Sequence, residues 1–194
     1  KIQFAQKTSQ RTLAEAIAGA DIFLGLSAGG VLKKDMVAKM APQPMIFALA
    51  NPTPEILPEE VKEVRDDAII ATGRSDYPNQ VNNVLCFPYI FRGALDSGAT
   101  TITDEMEIAA VHAIAELAQA EQSEVVAAAY SGETLSFGLD YVIPKPFDPR
   151  LMMKIAPAVA QAAADSGVAA RPVKDLDAYR EKLQTFVYAS GTTM

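Results

Sequence analysis

The sequence predicts an α/β protein: a doubly wound parallel sheet, here partial, with additional C-terminal helices. Two observations carry this. First, the runs Asp21-Ile22-Phe23-Leu24-Gly25-Leu26, Met45-Ile46-Phe47-Ala48-Leu49-Ala50 and Ala68-Ile69-Ile70-Ala71-Thr72 are continuously apolar rather than alternating, as strands buried on both faces are. Second, helix-like stretches separate them, and strands joined through helices form parallel sheets covered on both sides.

The elements follow in order. Residues 12–18 read as an Ala/Leu/Ile helix ended by Gly19, and 33–40 as a helix that stops before Pro42. Pro58-Glu59-Glu60 puts proline and acids where a helix N-terminus favours them, and that helix is expected to run to about Arg65. After the third strand helices dominate, at 82–92, 103–120, 150–164 and 175–189. The stretch 132–149 carries Phe137, Tyr141, Pro144, Pro146, Phe147 and Pro149, the composition of a surface connection packed on the body.

Composition narrows the function. Of 194 residues 49% are hydrophobic and 21% charged, the balance of a folded domain. Lys plus Arg number 17 against 24 for Asp plus Glu, a net charge of -7 and the wrong sign for a phosphate-backbone binder, so nucleic acid is not expected as a partner. The single cysteine, Cys86, excludes an internal disulfide and fits a reducing, cytoplasmic setting. No run reaches the roughly 18 apolar residues of a membrane span. The start, Lys1-Ile2-Gln3-Phe4, has neither an initiator Met nor a signal peptide, as if the chain were entered partway through.

Ligands of open parallel sheets bind beyond the carboxyl ends of the strands. Three loops are placed there: Leu26-Ser27-Ala28-Gly29-Gly30, Ala50-Asn51-Pro52-Thr53-Pro54, and the segment from Thr72 through Asn83. Their small and amide side chains suit close backbone approach and uncharged hydrogen bonding. Gly25 to Gly30 has the spacing that opens a P-loop, but Val31-Leu32 stands where Lys and Ser/Thr belong; there is no G-x-G-x-x-G either, so a dinucleotide's pyrophosphate turn would lie before Lys1. Structural readings compete at each residue. Asn51 before Pro52 suits a turn, Asn82 or Asn83 suits a helix cap, and Ser75 and Asp76 read as turn or capping residues. Thr103 with Asp104 and Glu105 reads as a capped helix start, and His112 as a bystander on an Ala-rich helix. Cys86 reads as packing, and Asp21 begins a strand at the end opposite the site. Arg92, near a helix end, is expected to bind carbonyls or a carboxylate.

Three words resemble the C-terminal half of the cofactor domain of malic enzymes. They are Gly19-Ala20-Asp21-Ile22-Phe23-Leu24-Gly25-Leu26-Ser27, Phe47-Ala48-Leu49-Ala50-Asn51-Pro52-Thr53-Pro54-Glu55 and Ala71-Thr72-Gly73-Arg74-Ser75-Asp76-Tyr77-Pro78-Asn79-Gln80-Val81-Asn82-Asn83. Their order and spacing make the likeness specific. Pro88-Tyr89-Ile90-Phe91-Arg92-Gly93-Ala94-Leu95-Asp96, Ile143-Pro144-Lys145-Pro146-Phe147-Asp148 and Tyr188-Ala189-Ser190-Gly191 are most similar to the bacterial hybrid kind, in which a phosphotransacetylase-like domain follows.

The resemblance implies a Rossmann-like fold, with 1–125 as the C-terminal half of the NAD(P)-binding domain and 126–194 as a helical extension leading to a downstream domain. It implies oxidative decarboxylation of malate to pyruvate and carbon dioxide with NADP or NAD, Mg2+ or Mn2+, and a homo-oligomer. The Lys base, Tyr acid and acidic metal ligands of the family fall before Lys1, in the N-terminal part of the enzyme, so no catalytic or metal residue is expected here. Carried over by motif, Asn51 and Asn83 contact cofactor and malate, Asn82 contacts malate, and Ser27 and Gly25 line the cofactor wall. Two other readings stand beside this one. Another Rossmann dehydrogenase, such as an amino-acid dehydrogenase, leaves the Asn-Pro-Thr and paired-Asn words unexplained; a nucleotide-binding regulatory module would bind without turnover.

Overall fold

The computed structural model of the chain describes residues 5–121 and 135–189, which fall into two compact units dividing at Pro78 and Asn79. Residues 132–134 of the expected connection, and Ser190 and Gly191 of the last hybrid-like word, lie outside the described residues.

In the first unit, β1 (Ile22–Gly25), β2 (Met45–Ala48) and β3 (Ile69–Thr72) form a parallel sheet in the order β1-β2-β3. Gly25 pairs with Ala48 and Ala48 with Thr72, so the three C-terminal ends lie along one edge. Three helical segments alternate with the strands: α1 (Leu13–Ala16), α2 (Lys34–Val37) and α3 (Pro58–Lys62), each shorter than its sequence pattern predicts. Thr12 and Glu15 close a capping box on α1, the Thr12 hydroxyl accepting from the Glu15 N–H at 3.3 Å and Glu15 accepting from the Thr12 N–H at 3.0 Å. Pro58 opens α3, where a missing N–H leaves no bond unmade, and Glu60 accepts from the Leu57 N–H at 3.1 Å.

The expectation that the strands are buried on both faces is corrected for β1. Phe23, Ile46 and Ile70 join Leu32, Val37, Ile56 and Val61 in one buried core. On β1's other face Ile22 is 52% exposed and Leu24 60%, whereas Met45, Phe47 and Ile69 are half-buried. The connectivity explains it: two successive right-handed crossovers in one direction along a sheet put both connecting helices on the same side.

In the second unit, α6 (Arg150–Asp165) packs against α4 (Phe87–Asp96), α5 (Asp104–Gln119) and α7 (Leu176–Ala189). A Cβ at Gly93 of α4 would stand 2.4 Å from the Ala156 carbonyl oxygen, so only glycine lets these two backbones approach so closely. The single helix expected at 82–92 is two elements, a 3-10 turn at Asn83–Leu85 and then α4, separated at Cys86 (φ -121°, ψ -46°). Pro88 is the reason. Its ring and missing N–H fit the first turn of a new helix, not the interior of a running one. Of the connection, Tyr141, Pro144 and Pro146 are buried while Phe137 and Phe147 are exposed. It ends at buried Asp148, which accepts from the Arg150 N–H at 2.9 Å and pairs with the Arg150 guanidinium at 2.7 Å. No helix among the described residues is long and apolar enough to cross a membrane.

Candidate functional site

On the first unit, the loops leaving β1 and β2 are zipped together. The Leu49 N–H donates to the Gly25 carbonyl at 3.2 Å, the Gly30 N–H to that of Pro54 at 3.0 Å, and the Leu32 N–H to that of Glu55 at 3.0 Å. The Glu55 side chain lies inside this zipper, 0% exposed. Its Oε1 accepts from the Ser27 N–H at 3.0 Å and its Oε2 from the Ala50 N–H at 3.1 Å. Gly25 is the floor beneath it: a Cβ there would stand 2.4 Å from Glu55 Cδ. Gly29 is held as closely, its would-be Cβ 2.8 Å from the Thr53 carbonyl oxygen.

Asn51 follows directly. It is exposed, precedes a cis proline, and lies beside Gly73 at the end of β3, where a Cβ would come within 3.1 Å of the Asn51 amide nitrogen. Among the described residues no hydrogen bond engages the Asn51 side chain. Sequence alone left a turn as one reading of Asn51, yet its amide is not spent on a turn. Ser27, Gly25 and Asn51 are thus brought to one edge of the sheet.

The loop after β3 is internally braced. Buried Thr72 accepts from the Arg74 N–H at 3.2 Å, Arg74 pairs with Asp76 at 2.8 and 2.5 Å, and the guanidinium stands 5.1 Å from the centre of the Tyr77 ring. The Tyr77 hydroxyl donates to Glu59 at 2.9 Å, and that bond pushes its pKa up. Asp76, read from sequence as a turn or capping residue, gives its carboxylate to Arg74, which holds its pKa below the usual range.

On the second unit the paired asparagines separate into two roles. Asn82 is the N-cap of the 3-10 turn, in extended backbone, its Oδ1 accepting from the Val84 N–H at 3.0 Å. Asn83 is exposed in the first position of the turn, and among the described residues no hydrogen bond engages its amide. Asn79 is a third, structural amide: buried at φ 53°, it donates to the Leu139 carbonyl at 2.7 Å and accepts from the Val142 N–H at 2.8 Å.

The remaining candidates stay structural. The Cys86 thiol is half-buried and pushed up by burial and then by Glu107, the reverse of an activated nucleophile. Arg92 finds the expected carboxylate partner in Asp96 at 2.6 Å. Thr103 caps α5 by accepting from the Met106 N–H at 3.4 Å, and His112 is exposed. Asp21 is exposed just before β1, at the far end from these loops. Among the described residues no three His, Cys, Asp or Glu side chains stand together as a metal site.

Sequence reasoning missed Glu55 and Asn79. A signal for Glu55 existed: a glycine inside an apolar strand marks close approach by another group, and an acid flanked by Pro54 and Ile56 is a candidate for that group. For Asn79 it was an Asn after Pro in a turn, where left-handed backbone is tolerated.

The chain also matches known proteins over nearly all of its length. The family model described as malic enzyme, NAD binding domain matches residues 1–129. The NADP-dependent malic enzyme of Salmonella typhimurium is 70% identical over 96% of this chain, and the NAD-dependent malic enzyme of Rhizobium meliloti 64% identical over all of it. The chain spans about a quarter of the length of either. The crystal structure of malic enzyme from Pyrococcus horikoshii matches with a TM-score of 0.74 and 41% identity, over 91% of this chain and 38% of that one. A braced pair of strand-end loops, uncommitted amides and these matches over nearly all of its length lead to one assignment: the chain belongs to the malic enzyme NAD-binding domain family.

Proposed function

We propose that this chain supplies one wall of the cofactor and substrate site of a malic enzyme, which converts malate to pyruvate and carbon dioxide with NADP or NAD. The observation that carries the reading is that each unit offers an amide, Asn51 on the first and Asn83 on the second, that no hydrogen bond among the described residues engages. An amide suits such a wall. Its NH2 donates to a carboxylate, its oxygen accepts from a hydroxyl or carboxamide, and its charge does not change as carbon dioxide leaves. Asn82, with its oxygen spent on the cap, keeps its NH2 as a donor to malate. Ser27 and Gly25 line the cofactor side, where small residues allow close approach to a flat ring. NAD(P), when bound, supplies the hydride acceptor.

Among the described residues no three His, Cys, Asp or Glu side chains stand together; it is the resemblance that assigns the metal ligands, the Lys base and the Tyr acid of the proposed enzyme to its N-terminal part. In the same reading 1–125 is the C-terminal half of the cofactor domain and 126–194 its helical extension. The likeness of the later words to hybrid enzymes supports a phosphotransacetylase-like domain beyond, in a cytoplasmic homo-oligomer.

The test is a coupled assay with malate, Mn2+ and either cofactor. The isolated 194-residue chain is expected to be inactive, and addition of the N-terminal part to restore turnover in the ordinary enzyme range of roughly 1 to 1,000 per second. Cofactor binding by the complete polypeptide without turnover would favour a nucleotide-binding regulatory module instead.

A further inference from the structure

We propose that Glu55 is a positioning residue that fixes the two cofactor-facing loops of the first unit, and so sets affinity for the nicotinamide cofactor without touching it. The proposal rests on the cofactor-wall reading above. Glu55 is fully buried, so ligand contact is not its role. Its two oxygens instead take the Ser27 and Ala50 N–H groups, one from each loop, at 3.0 and 3.1 Å. Ser27 lies in the loop after β1, and Ala50 immediately precedes Asn51. Three backbone hydrogen bonds join the same loops around it, and Gly25 leaves the space that its carboxyl group fills. The carboxyl group is thus placed where a small shift would move Ser27 and Asn51 together.

The chemistry explains why an acid is used. A carboxylate accepts at both oxygens, whereas an amide of the same shape accepts at one and presents donors at the other. With Glu55→Gln, one of the two N–H groups must face an NH2 in a buried site, and one loop is pushed from its place. Glu55→Ala removes both bonds and leaves a void over Gly25.

The experiment uses the complete malic enzyme polypeptide, with Glu55→Gln and Glu55→Ala compared to the parent for NADPH and NADH affinity by fluorescence titration, KM for malate, kcat and melting temperature. Loss of one hydrogen bond to a charged group corresponds to about tenfold or more in affinity. A folded variant is expected to lose that much cofactor affinity while kcat at saturating cofactor falls far less, a split that general destabilisation does not produce. A folded variant that binds cofactor as the parent does would overturn the proposal. Failure of both variants to fold would overturn it too, because Glu55 would then hold the fold rather than the loops. If the parent itself shows no malate-dependent reduction of either cofactor, the malic enzyme reading fails first, and Glu55 has no cofactor loops to position.

Discussion

Asn82 caps the turn that Asn83 opens: the Asn82 side-chain oxygen accepts the Val84 N–H at 3.0 Å, and so the cap does not draw on the Asn83 amide. Two identical neighbours therefore answer differently to substitution. Asn82→Ala should lower stability by about 1 kcal/mol, the usual cost of losing a cap, and Asn82→Ser should retain most of it. Thermal melting of both variants beside Asn83→Ala checks this. An Asn83→Ala protein that loses as much stability as Asn82→Ala would contradict the division of roles.

Buried Asp148 is bonded to the Arg150 guanidinium at 2.7 Å, and Arg150 also donates to the Glu121 carbonyl at 2.7 Å. Asp148→Ala removes its bonds to Arg150 and leaves the half-buried Arg150 guanidinium only the Glu121 carbonyl, so it should cost about 1.5–3 kcal/mol, the usual loss of a hydrogen bond to a charged group. Denaturant unfolding of the second unit measures it. Pairing Asp148→Ala with Arg150→Met should recover part of the loss; an equal or larger loss in the double variant would show that the pair's charge is not the cause.

Asp96 joins α4 to α7, accepting from Arg92 at 2.6 Å and from the Tyr179 hydroxyl at 2.7 Å. Burial raises its pKa, but the bonds from Tyr179 and Arg92 outweigh that and hold it below the ordinary 3.8. A depressed carboxyl contributes stability above its unfolded value and loses it as pH falls through the folded one. Tyr179→Phe should thus destabilise by about 1.5 kcal/mol at neutral pH, with the gap from the parent closing below about pH 4. Melting curves from pH 7 down to 2.5 test the sign, and a gap that widens in acid would refute it.

The strands were legible because their apolar runs are short and bounded, as at Ile22 to Gly25 and Met45 to Ala48. Helix lengths were less so. Apolar spacing from Leu32 to Met40 continues past Val37, where the helix ends, because those residues also pack from irregular backbone. The exposed face of β1 was invisible for a related reason: an apolar run reports that a surface is suited to burial, not which segment covers it. Asn51 and Asn83 stood out as words, whereas the partition between Asn82 and Asn83 depends on one backbone turn. Glu55 was passed over because its signal is split: Gly25, which makes room for it, and its partner Ser27 lie about 30 residues from it in sequence, and only the fold shows that they meet.

The most direct measurement is kcat/KM for malate in the complete polypeptide carrying Asn83→Ser, taken beside its melting temperature. A hydroxyl is too short to replace the amide at the substrate, and loss of a hydrogen bond to a charged group corresponds to roughly 10- to 150-fold in kcat/KM. That fall, at an unchanged melting temperature, is the expected result. A stable and fully active Asn83→Ser enzyme would remove Asn83 from the site and contradict the proposed wall.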